Sequence, residues 1–115
     1  MIRAVLTRFK NGDLYSCALS GHSGFAPAGQ DIVCAAASIL VRTALDVLYA
    51  QSGIELKTDI PGRGELSFTV EKKEGGASGI LSYTADFLQS GLLSLQTDYP
   101  SYISVCVNCA DIHDD

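Results

Sequence analysis

The sequence is short of positive charge. Eight Lys and Arg residues stand against thirteen Asp and Glu, giving a formal net charge of -5 over 115 residues. Phosphate binding needs an excess of Lys and Arg, so no direct nucleic-acid partner is expected, and a basic protein partner suits the charge better. The tyrosines are not interleaved with basic residues, which removes an RNA-stacking surface. A membrane span needs roughly 20 mostly apolar residues. The most apolar segment, Ile32 to Ala50, is interrupted by Ser38, Arg42, Thr43 and Asp46, so no membrane contact is expected. The start, "MIRAVLTRFKNG", lacks the apolar block of a signal peptide. Neither "PGRG" nor "EGGASG" has the spacing and lysine of a phosphate loop, and no cofactor is expected. There is no repeat of fixed period. These absences together point to a cytoplasmic protein. Its four cysteines are then candidates for chemistry or packing rather than disulfides.

What is present reads as one globular domain over residues 1–115. Hydrophobic residues make up 47% and charged residues 18%, a folded balance rather than a disordered one. Strands are expected at Ile2 to Phe9 and Leu14 to Ser20, joined through Asn11-Gly12, a strong hairpin signal because both residues tolerate positive φ. Gly21 to Gln30 is a loop. Asp31 is a natural N-cap for a helix running to about Gln51, apolar almost all round and therefore expected to be deeply buried. Arg42 and Asp46, spaced i,i+4, can pair on one exposed strip. Strands follow at Ile54 to Thr58 and Glu65 to Glu71, the latter with Leu66, Phe68 and Val70 on one face. A second helix runs from Ala77 or Ser78 to about Thr97, its apolar set including Ile80, Tyr83, Phe87, Leu88, Leu92 and Leu95. A last strand spans Ser101 to Val107. The order ββαββαβ predicts an α+β, two-layer domain, a five-stranded sheet with two helices on one face.

The chemistry concentrates in "GHSGFAPAGQDIVC", Gly21 to Cys34. Capping by Asp31 places Cys34 in the first helical turn, where free amides and the helix dipole favour a thiolate. The Asp31 carboxylate opposes that effect. His22, separated from Cys34 by eleven intervening residues, can fold back to exchange a proton with the thiol. The glycines at 21, 24 and 29 allow the loop to move. Spacing alone leaves open a second outcome, in which Cys34 is a packed small hydrophobe and His22 a surface residue. Ser38, one turn after Cys34 on the same face, either donates into the site or bonds a helix carbonyl.

The stretch "GHSGFAPAGQDIVCAAAS" resembles the signature of the ribosomal-processing cysteine protease family, often called Prp. The matching residues are Gly21, His22, Gly24, Gly29, Asp31, Ile32, Val33, Cys34, Ala35, Ala36 and Ser38. Ser23 stands where the family usually has alanine. The resemblance implies a bacterial cysteine endopeptidase that removes the N-terminal extension of large-subunit ribosomal protein number twenty-seven. It implies Cys34 as nucleophile and His22 as general base and acid, with Asp31 and Ser38 in support; Asp31 either caps the helix or orients His22. Gly21, Gly24, Phe25 and Gly29 then form a substrate loop, with Pro27 beside them, for a segment that is apolar and aromatic before the cleaved bond. The partners implied are the ribosomal protein precursor and a second copy in a homodimer. Backbone amides at the helix start, including that of Cys34, are expected to hold the oxyanion.

Two other functions compete. One is a non-enzymatic, ribosome-associated assembly module of the same fold. The other is a metal or redox protein built on "CVNC", Cys106 to Cys109, with Asp111 and His113 beyond it. A structural zinc needs four ligands, and a second Cys-x-x-Cys is absent. A redox pair belongs at a helix start, whereas this pair closes a strand. No metal is therefore expected. Cys17, in a strand, is expected to be packed.

Overall fold

A computed structural model of the protein describes residues 1–21, 31–62 and 65–110. The strands are β1 (Ile2–Arg8), β2 (Leu14–Ser20), β3 (Ile54–Asp59), β4 (Leu66–Lys73) and β5 (Ile103–Cys109). The helices are α1 (Ile32–Tyr49) and α2 (Ser78–Asp98), with a short 3-10 turn at Gly75–Ala77. The sheet order is β3-β4-β2-β1-β5. All neighbouring pairs are antiparallel except β1 and β5, which run parallel. This is the α+β architecture expected from the element order.

Alternation along the strands builds one buried sheet face. Register aligns Val105, Ala4, Leu19 and Leu66 in one row across the sheet. Leu6, Cys17 and Phe68 form the next row, and all three are almost wholly buried. Leu66, Phe68 and Val70 are buried together, as their spacing predicts. Cys17 is packed in this row, and burial pushes its thiol up to about 12 because the thiolate would lose its hydration there.

The β1–β2 hairpin has a three-residue loop. The Gly12 amide donates to the Phe9 carbonyl at 2.9 Å, and the Phe9 amide to the Asp13 carbonyl at 2.8 Å. Only Gly12 uses positive φ, at 97°. Asn11 instead accepts from the Asp13 amide through Oδ1 at 2.9 Å, an Asx-type bond. Asp13, buried, is held by Lys73 Nζ at 3.1 Å, and that ammonium also lies 4.1 Å from the Phe9 ring centroid.

The helices correct three expectations. First, α1 is not buried all round. Val33, Ala37, Val41, Ala44, Leu45 and Leu48 are buried, while Ile32, Ile39, Val47 and Tyr49 are exposed, Ile39 to 61%. In a two-layer domain only one side of a helix meets the sheet, so a second apolar side stays uncovered. Second, the buried stripe of α2 is Leu81, Ala85, Leu88 and Leu92. Ile80, Tyr83 and Phe87 face outward; the helix carries two apolar stripes, and the sheet takes the one that meets β1 and β5. Third, Arg42 and Asp46 form no ion pair among the described residues; both are exposed, where such pairs gain little.

Candidate active site

The start of α1 is fixed by Asp31. Its backbone is extended, at φ -80° and ψ 102°, as an N-cap requires. Its Oδ1 accepts from the amides of Val33 and Cys34, each at 3.0 Å. The Asp31 carbonyl then accepts from the Ala35 amide at 3.1 Å, the first turn of the helix. Asp31 therefore serves the helix. This arrangement also corrects the expected oxyanion site: the Cys34 amide donates to Asp31 rather than into the cleft.

Cys34 is the third residue of α1 and is half-buried. It lines a cleft of about 320 Å³. Among the described residues, its walls come from the first turns of α1, the ends of β1 and β2, and the β3–β4 connection. Ile2, Leu19 and Leu66 give the cleft an apolar floor. Ser38 lines it one turn beyond Cys34, and Arg42 two turns beyond. Ser38 is half-buried, and its hydroxyl makes neither of the expected hydrogen bonds among the described residues. Glu65 and Ile60 stand on the β3–β4 side.

Gly21 directly follows β2 and lines the cleft. Its φ is +86°, and a Cβ there would lie 2.5 Å from the Met1 carbonyl oxygen. Both the left-handed conformation and the close backbone approach need glycine. His22, Gly24, Phe25, Pro27 and Gly29 lie outside the described residues. The structure thus brings Cys34, Asp31, Ser38 and Gly21 to one place.

The sequence reading missed Arg42 as a cleft residue. The signal was present, because positions 34, 38 and 42 follow one helical face. Glu65 and Ile60 had no such signal, since only the sheet order carries their connection to α1.

Cys106 and Cys109 lie within β5. Three residues apart in a strand, they point to opposite faces with Cα atoms about 10 Å apart. A disulfide needs roughly 4.4–6.8 Å, so the folded strand holds the two thiols apart. Asp111 and His113 lie outside the described residues.

Comparisons with known proteins agree with the geometry. The family model described as cysteine protease Prp matches residues 1–104. The ribosomal processing cysteine protease Prp of Bacillus subtilis (strain 168) is 35% identical over 60 residues. That match spans about half of each protein, 52% of this chain and 54% of the relative. The fold is similar to a crystal structure of the essential ribosomal processing protease Prp from S. aureus, in complex with a covalently linked product peptide. The TM-score is 0.74 at 20% identity, over 94% of this chain and 100% of that one. A Streptococcus mutans crystal structure matches with TM-score 0.73 at 26% identity, over 96% of each chain.

Proposed function

Because the chain belongs to the cysteine protease Prp family, we propose that it is a cysteine endopeptidase. Its substrate is the precursor of large-subunit ribosomal protein number twenty-seven, from which it removes the N-terminal extension. The observation that carries this reading is the position of Cys34. Its thiol stands at a capped helix start and lines an apolar-floored cleft of about 320 Å³. Cys17, by contrast, is buried in the sheet and protonated.

The chemistry runs in two halves. His22 takes the Cys34 proton, and Sγ attacks the scissile carbonyl carbon. The carbon–nitrogen bond breaks as His22 returns that proton to the leaving amine, giving a thioester. Water, deprotonated by His22, then attacks the thioester carbon; the carbon–sulfur bond breaks, Cys34 takes the proton held by His22, and the acid product leaves, losing its own proton to solvent. Asp31 keeps Cys34 in register by holding the first turn, and the loop from Gly21 to Gln30 meets the substrate. The reading places the protein in the cytoplasm with its ribosomal substrate.

A decisive test is the intact mass of the precursor after incubation with purified variants. Cys34→Ala and His22→Ala leave it full-length while the fold survives; equal trimming by wild type and Cys34→Ala ends the proposal. The reading also includes a homodimer, supported by the exposed apolar stripes of α1 and α2, notably Ile39 and Tyr83. Sedimentation showing only monomer at micromolar concentration removes that part.

A further inference from the structure

Among the described residues, Arg42 is the positively charged side chain that lines the cleft holding Cys34. It is exposed and has neither a hydrogen bond nor an ion pair among the described residues. Asp46, its expected partner, leaves it alone. Glu65 lines the opposite wall but lies beyond ion-pair distance. The same cleft has apolar lining from Ile2, Leu19 and Leu66. A guanidinium offers five donors in a rigid plane and no acceptor, a geometry that matches a carboxylate.

Distance sets which part of a bound peptide meets it. Cys34 and Arg42 are eight residues apart on α1, about 12 Å along the helix axis. An extended peptide advances about 3.3 Å per residue, so the same length is about four peptide residues. Resting on the protease reading, we propose that Arg42 is a specificity-determining residue. It binds an acidic side chain about four residues from the bond that Cys34 attacks, with the apolar residues between lying on the floor. Glu65 strengthens the selection, because an acidic group shifted to its wall meets a like charge.

The test uses binding, which does not depend on turnover. Cys34→Ala protein is titrated against fluorescent decapeptides with an apolar-aromatic centre. Each carries Glu, Gln, Leu or Lys at the fourth position from the central bond, on one side or the other. On one side the Glu peptide should bind about 10-fold more tightly than the Leu peptide, the Gln peptide lying between, as a charge-assisted hydrogen bond gives. In Cys34→Ala/Arg42→Met that preference disappears, and in Cys34→Ala/Arg42→Glu the Lys peptide becomes the tightest. Circular dichroism checks that each variant is folded. Equal affinity for Glu and Leu peptides, a preference that survives Arg42→Met, or no binding of any peptide overturns the proposal. Mass analysis of the same peptides with the Cys34 protein separates the two readings. Arg42-dependent selection without Cys34-dependent cleavage keeps the inference and removes the protease, whereas cleavage without selection does the reverse.

Discussion

Replacing Asp31 separates what the carboxylate does for the helix from what it does for chemistry. One oxygen of Asp31 accepts from two amides at 3.0 Å each. Loss of an N-cap to alanine costs about 0.5–2 kcal/mol, and two bonds to a charged acceptor put this site near the top, about 2 kcal/mol. For a domain of this size each kcal/mol shifts the melting temperature by roughly 4 °C. Asp31→Ala is thus expected to melt about 8 °C below wild type. Asp31→Asn keeps an acceptor oxygen and loses only the charge at the helix N-terminus, about 0.5 kcal/mol or about 2 °C. Thermal melts followed by circular dichroism, with urea midpoints beside them, read both variants. Cleavage is measured on the same samples well below either melt. If the cap is the whole contribution, Asp31→Asn retains most of its cleavage. The reasoning is refuted if Asp31→Ala melts within about 1 °C of wild type. If Asp31→Asn instead loses cleavage as completely as Asp31→Ala while melting normally, the carboxylate acts on the chemistry rather than through the helix.

Gly21→Ala should cost more than about 2 kcal/mol, since a left-handed conformation alone costs about 1–2 kcal/mol and the new Cβ meets the Met1 carbonyl at 2.5 Å. Gly12→Ala, also at positive φ, meets only side-chain atoms, of Arg8 at 3.4 Å and Ser82 at 3.9 Å, and should cost about half as much; equal urea midpoints for the two would contradict the close-approach argument. Burial of Cys17 makes stability sensitive to alkali. Its folded value, about 12 against the ordinary 9.0, means the native state holds a proton that the unfolded chain has lost. The protection is intact below about pH 9 and falls by about 1.4 kcal/mol per pH unit between about pH 9 and 12. In denaturant titrations the stability difference between wild type and Cys17→Ala should shrink at that slope across the window. A constant difference would mean that the Cys17 thiol titrates normally.

Much of this protein was legible in the chain itself. Strand alternation at Leu66, Phe68 and Val70 and the break at Gly12 are local signals, because side-chain direction and backbone freedom are properties of a few adjacent residues. The cap at Asp31 and the place of Cys34 behind it are local in the same sense, and the family signature sits on those residues. Arg42 was within reach too, two turns along the same helical face. Tertiary structure decided the rest. Both helices carry more apolar surface than one sheet face can cover, so the choice between Leu81 with Ala85 and Tyr83 with Phe87 falls to the strands beneath α2. The walls of the cleft come from β1, β2 and the β3–β4 connection, which are distant along the chain and meet only through the order β3-β4-β2-β1-β5. Whether the Cys34 amide faces a substrate or a carboxylate is settled by an oxygen three residues away. Sequence spacing permits both outcomes, and only folded geometry, where one donor meets one acceptor, selects between them.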